Sequence, residues 1–172
     1  MLSIRVPMMT TISASDVLAL VPQLRAFAIC LVEDEAIADA LVEMALICTW
    51  NDERDTAGED TRMLLFRFLH REFHAYESTR ALAQLPARTP VRSHRAEGGD
   101  IARLLRELSP DQREIILLVD ACGFMDREVA RILGCDVASL FRELEGAYRS
   151  LTSALALACW QREPTWRQRH RC

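Results

Sequence analysis

The sequence has no lysine; all 21 of its lysine-or-arginine positions are arginine. It also has no alternating apolar–polar run of strand type, no glycine-rich phosphate loop, no Ser/His/Asp arrangement and no paired carboxylates framing a pocket. These absences exclude a sheet-based fold and argue against an enzyme. None of the six cysteines, Cys30, Cys48, Cys122, Cys135, Cys159 and Cys172, belongs to a CxxC pair. Most stand where a small apolar core residue would serve, so they read as reduced thiols in a cytoplasm, not as a disulfide frame. Apolar stretches are interrupted by charge before membrane-spanning length, which predicts no membrane helix. Residues 1–15 carry one arginine and a broken apolar run with Pro7, unlike a signal peptide. Positive net charge is missing as well: the formal value is −4. A free-standing DNA binder relies on phosphate neutralisation. The balance here suits a protein that reaches DNA within a larger complex, or one that binds protein.

What is present is helical periodicity, with apolar content of 50% and charged content of 27%, as in a folded chain. A length of 172 residues is enough for one good core or two small ones. The most informative stretch runs from Ser109 to Leu151. Ser109, Pro110 and Asp111 form a helix start, and Ile115, Ile116, Leu118 and Val119 predict a mainly buried helix. Ala121-Cys122-Gly123 breaks it. A short helix comes next, from about Asp126 to Leu133, with Val129, Ala130 and Leu133 on one side. Gly134 ends it, and Asp136 caps a longer helix from Val137. Helix, tight turn, helix is the helix-turn-helix pattern, whose last helix is the one offered to DNA.

Upstream, Ser15 or Asp16 is placed to cap a first helix with Val17, Leu20, Val21, Leu24, Phe27, Ala28 and Leu31 at helical spacing. A second runs from about Glu35 to Trp50, with Ile37, Leu41, Met44 or Ala45, and Cys48 on one face. A third runs from about Thr61 to Tyr76, with Leu64, Leu65, Phe68, Leu69 and Phe73 as its stripe. Pro86, Pro90, Gly98 and Gly99 mark a linker, and Asp100 opens a helix through Ile101, Leu104, Leu105 and Leu108. The predicted organisation is a loose N-terminus at 1–14, a helical domain at 15–81, a flexible linker at 82–99, a helix-turn-helix domain at 100–159 and a basic tail at 160–172. His70 and His74, at i,i+4, lack the glutamate that the zincin pattern places directly after the first histidine; they read as a wet helix face, and no metal site is expected.

Residues Pro110-Asp111-Gln112-Arg113-Glu114, Gly123-Phe124, Glu128-Val129-Ala130, Ile132-Leu133-Gly134-Cys135 and Val137 resemble region 4 of the extracytoplasmic-function sigma factors, the small specificity subunits of bacterial RNA polymerase. Leu24-Arg25-Ala26-Phe27-Ala28, the run from Ala38 to Glu43, Trp50, Arg62, Leu65-Phe66 and Leu69 are similar to region 2 of the same family. The resemblance covers about Val17 to Leu155, and its pattern looks closest to the general-stress-response group. It implies an all-α chain of two small helical domains, with no cofactor. It implies docking on the β′ clamp helices of core polymerase through Asp39, Leu41, Val42, Glu43 and Trp50. It further implies −10 DNA contacts from Arg67, Arg71, His74, Tyr76 and Arg80, with His70 on the same face, and −35 contacts from Ser139, Arg142 and Arg149.

The departures are physical. Ala40, Glu43 and Met44-Ala45 replace residues usual in the polymerase-docking helix, Leu64 stands where a tryptophan is common, and the basic run after the −10 reader is reduced to Glu77-Ser78-Thr79-Arg80. Glu143 and Glu145 bring negative charge to a phosphate-facing helix, and Gly146 interrupts it. The expected function is a cytoplasmic sigma factor with RNA polymerase core and promoter DNA as partners and an anti-sigma factor as a further one. The rival is a sigma mimic that binds an anti-sigma factor and no DNA. The sigma-like domains of general-stress response regulators behave that way, and their last helix also begins Asp-Val-Ala, but they carry a receiver domain for which this chain has no length.

Overall fold

The computed structural model describes residues 13–51, 60–83 and 100–161, with side-chain surroundings for 13–51, 60–83 and 103–156. Among the described residues there is no strand, and seven α-helices and one π-helical turn make up the regular structure, so the chain is all-α. It divides into two compact units, Met1–Val91 and Arg92–Cys172.

The first unit holds α1 (Ala14–Val32), α2 (Glu35–Asn51) and α3 (Thr61–Ala83). Helix α1 starts before the predicted caps: Ser13 is the N-cap, and its carbonyl accepts the Val17 N–H at 3.1 Å. Asp16 thereby falls in the first turn, where the exposed N–H groups favour a carboxylate. Leu24, Phe27, Ala28 and Leu31 are buried as predicted, while Val17, Leu20 and Val21 are only half-buried. By length and composition α1 is apolar enough to cross a membrane, which corrects the expectation that charge interrupts every such run. Here it packs against α2 and α3. Glu33 closes it in the left-handed region at φ 60°, with its N–H on the Ile29 carbonyl at 2.9 Å. Asp34 then caps α2, its Oδ1 accepting the N–H groups of Ala36 and Ile37, each at 3.0 Å. These two residues together make the αα-hairpin.

Helix α2 turns Ala38, Leu41, Val42, Ala45 and Thr49 inward. The Thr49 hydroxyl is satisfied by the Ala45 carbonyl at 2.8 Å. Of the predicted alternatives Met44 and Ala45, the alanine faces the core; Met44 is exposed, and Ile37 and Cys48 are half-buried. In α3 the predicted stripe is buried, together with Met63 and Phe66. Phe66 meets Phe27 edge-on with ring centroids 5.2 Å apart, a geometry that aromatic pairs favour. Helix α3 continues past Tyr76 and past residue 81 to Ala83, so Leu82 and Ala83 are helical instead of linker. The rest of the predicted linker lies outside the described residues.

The second unit holds α4 (Asp100–Arg106), α5 (Pro110–Ile116), a π-helical turn (Leu117–Ala121), α6 (Asp126–Leu133) and α7 (Val137–Gln161). Ser109 caps α5, accepting the Gln112 N–H at 3.2 Å. Arg113 is buried beneath it and donates from Nε to the Leu105 carbonyl at 2.9 Å, so one helix caps the open end of the one before. Leu108, Ile116 and Ala147 form a core cluster with Leu105 and Leu151 packed on it. The predicted break at Ala121-Cys122-Gly123 is gentler than a break. The helix widens by one residue, and Cys122 N–H reaches back to the Leu117 carbonyl at 2.8 Å. Gly123, at φ 70°, then turns the chain and sends Phe124 into the core. Helix α6 buries Val129, Ala130 and Ile132, with Leu133 half-buried, so Ile132 takes the inward place predicted for Leu133. Gly134 ends it at φ 66°, a backbone region costly to residues with a Cβ. Leu140, Leu144 and Ala147 seat α7 inward. It runs through residues 160 and 161, beyond the predicted end near Cys159.

Candidate functional site

Three helices carry the residues singled out by sequence, α2 and α3 in the first unit and α7 in the second. On α2, Glu43 is exposed and Trp50 is 57% exposed. Leu41 and Val42 are 7% and 5% exposed, which corrects their assignment as partner contacts: both hold α2 in its own domain's core. Their places on the surface are taken by Met44 and Ile47, at 45% and 44% exposure, which sequence reasoning missed. Helix α2 is apolar on both sides, so the inward stripe hides the outward one. The usable signal was the spacing: Met44, Ile47 and Trp50 recur at three-residue steps outside the Leu41–Ala45 face. Asp39 is exposed but engaged. Arg25 of α1 donates from Nε to Asp39 Oδ1 at 2.6 Å and from Nη2 to Glu35 Oε2 at 3.2 Å. These two carboxylates raise the Arg25 guanidinium above the ordinary arginine range, with the Asp39 hydrogen bond the larger cause.

On α3 the basic face is partly committed to its own helix. Arg71 is exposed, lies 4.7 Å from the Phe68 ring centroid and pairs with Glu72 at 3.5 Å. Arg80 donates to Glu77 at 3.0 Å. Arg67 reaches the same Phe68 ring from 6.0 Å. His70 and His74 are half-buried and stacked edge-on, with centroids 4.3 Å apart, which corrects their reading as a wet face. Phe66, Phe68 and Phe73 are buried and Tyr76 is half-buried, so among the described residues α3 presents no fully exposed aromatic ring to an unstacked base.

On α7 the three candidate residues fall at its N-terminal half, and each has a local partner. Asp136 accepts the Ser139 N–H at 2.9 Å and the Ser139 hydroxyl at 2.6 Å. Ser139 Oγ in turn accepts from Arg142 Nη2 at 2.9 Å. The hydroxyl hydrogen bond from Ser139, and then its N–H, hold the Asp136 carboxyl below the usual range. Arg149 donates to Glu145 at 2.7 Å, both side chains being exposed. Phe141, exposed beside Arg142, and Met125, before α6, add apolar surface. Tyr148 donates to both carboxylate oxygens of Asp120, at 3.0 and 3.1 Å, and pins α7 to the π-turn. Burial, and then Asp120, push its phenol above the ordinary tyrosine range.

Comparison with known proteins fits this arrangement. The family model for sigma-70, region 4, matches residues 99–151, the span from the start of α4 into α7. The ECF RNA polymerase sigma factor EcfG of Rhodopseudomonas palustris (strain TIE-1) is 33% identical over 150 residues, spanning 81% of this chain and 82% of that protein. Among solved structures, the sigma factor RpoE of Bartonella quintana, crystallised with the anti-sigma factor NepR, aligns with a TM-score of 0.68 at 29% identity, over 83% of this chain and 95% of that one. The anti-anti-sigma factor PhyR of the same organism, also with NepR, gives a TM-score of 0.57 at 21% identity, over 82% of this chain and 50% of that one. CnrH, bound to the cytosolic domain of CnrY, gives 0.63 at 21% identity, over 83% and 86%; the last two speak to fold alone. A helix-turn-helix that aligns with region 4, joined to a three-helix unit in a chain one-third identical to EcfG along most of its length, makes this protein a member of the extracytoplasmic-function family of RNA polymerase sigma factors.

Proposed function

We propose that the chain is a working sigma factor that brings core RNA polymerase to promoters. Polymerase docks on the outer side of α2, and DNA is met by the N-terminal half of α7 at −35 and by α3 at −10. The observation that carries this reading is the outward stripe of Met44, Ile47 and Trp50, about half exposed, on a helix whose other face already fills the domain core. Contiguous exposed apolar side chains with an acidic flank, here Asp39 and Glu43, fit a basic, partly apolar helical partner. The clamp helices of β′ are that partner in this reading, and the chain works in the cytoplasm beside them. The test is run-off transcription with purified core enzyme and a promoter library. The wild type initiates at a defined subset. Ile47→Arg abolishes core binding in a pull-down while the melting temperature stays close to wild type. Failure of the wild type to bind core at physiological salt ends this reading.

One observation favours a second reading, a mimic that engages an anti-sigma protein and leaves DNA alone. Arg142 and Arg149 are both held by neighbours on their own helix, and Glu143 and Glu145 flank them. RpoE and PhyR of Bartonella quintana were each solved with the anti-sigma factor NepR. Here the discriminating result is Arg142→Ala leaving DNA binding unchanged while weakening an anti-sigma complex.

A further inference from the structure

The acidic start of α2 is occupied from within the chain. Glu35 and Asp39 are four residues apart and stack on one side of the helix, and the Arg25 guanidinium spans both. Its Nη2 also lies 3.4 Å from Asp39 Oδ2, so that Asp39 is gripped by two nitrogens. The three side chains remain 43%, 77% and 53% exposed in the order Arg25, Glu35 and Asp39. Solvent therefore screens the cluster, and it exchanges readily. At about 100° per residue, Asp39, Glu43, Ile47 and Trp50 share an arc of roughly 80° on α2. The occupied carboxylate thus sits at the end of the apolar stripe.

We propose that Arg25 stands in for a cationic side chain of the partner that docks on α2. In the free chain it neutralises Asp39 and Glu35. When the partner's own arginine or lysine arrives, Asp39 changes hands and Arg25 keeps Glu35. Arg25 is then a specificity-determining residue. It blunts the pull of α2 on any basic surface and leaves the apolar stripe to select the right one. The proposal rests on the reading that core polymerase docks on α2.

The experiment measures affinity of the full chain for purified core polymerase at low and physiological salt, for wild type, Arg25→Gln, Arg25→Lys, Asp39→Asn and the double variant Arg25→Gln/Asp39→Asn. Glutamine keeps most of the stem and removes the charge. Arg25→Gln tightens low-salt binding by about twofold to fivefold, the scale of an exposed charge pair, and steepens the salt dependence; Arg25→Lys stays near wild type. Asp39→Asn costs less binding in the wild type than in the Arg25→Gln background, where it reverses the gain. Equal cost of Asp39→Asn in both backgrounds, or no gain from Arg25→Gln, overturns the proposal and leaves Arg25 a tie between α1 and α2. The swapped pair Arg25→Asp with Asp39→Arg keeps a tie but offers the partner a cation. It loses core binding if Arg25 is a stand-in, and its retention of binding overturns the proposal even if Arg25→Gln does not fold. Core binding without coupling removes this proposal alone, whereas no core binding by any variant removes the docking reading and this proposal with it.

Discussion

At the scale of single residues, the clearest chemistry is the run Asp136–Ser139–Arg142. A carboxylate caps a helix, and the serine that it fixes in turn holds an arginine. The Asp136 carboxyl is depressed in the folded chain, so its contribution is present above the unfolded carboxylate pKa and is lost as pH falls through the lower folded value. The start of α7 is therefore expected to stay intact through mild acid and to loosen only below the usual carboxylate range. Amide exchange at Ser139 followed against pH checks this, and Asp136→Asn removes the dependence. If α7 reads sequence, Arg142→Ala relaxes base preference by about 1–3 kcal/mol, the worth of a good bidentate contact, in a promoter-selection assay. The caps were legible because cap chemistry is local: Ser109, Gly134 and Asp136 each act within a turn of their own position. The tie from Arg25 to Asp39 spans 14 residues and two helices, and nothing in either local sequence announces it.

At the scale of elements, α7 is a helix with conflicting demands. Its inward stripe is regular, yet Gly146 interrupts it beside Gln112. A Cβ there would meet the Gln112 amide at 3.9 Å, ordinary contact. Gly146→Ala is therefore expected to stabilise the chain by about 1 kcal/mol, read as a raised melting temperature. Glu143 and Glu145 oppose the release of counterions that drives binding to phosphates. Replacing both with arginine is expected to strengthen binding to −35 duplexes and steepen its salt dependence, measured by fluorescence anisotropy. The outer face of α2 was less legible. Ile47 and Leu41 are alike in hydrophobicity, and a helix apolar on both sides gives period analysis no inside. Only packing against α1 and α3 decided that Leu41 and Val42 go in while Met44 and Ile47 stay out.

At the scale of the whole chain, each unit has its own buried core. We expect each to fold alone, because the sequence between them carries Pro86, Pro90, Gly98 and Gly99 and no apolar period. Limited proteolysis is expected to cut between residues 84 and 99 first and to leave two helical fragments by circular dichroism; protection of that stretch would mean that the halves are held together. The number and order of the helices were legible from periodicity together with the cap and turn residues. The π-turn was not, because its extra residue serves the burial of Phe124, which a window of sequence cannot see.

That extra residue gives the second unit a phase. Every residue after Ala121 reaches its place one step late relative to a plain α-helix, and α6 and α7 are aimed by that delay. Deleting Val119 would let the turn close into an ordinary helix with α6 and α7 near their present places, whereas inserting an alanine after Val119 would add a second extra residue and swing them by about 100°. With the insertion Phe124 would leave the core, and the Tyr148 hydroxyl would lose Asp120. The inserted chain would keep its helices and lose the aim of the last two: circular dichroism close to native, with any binding of α7 to −35 duplexes gone.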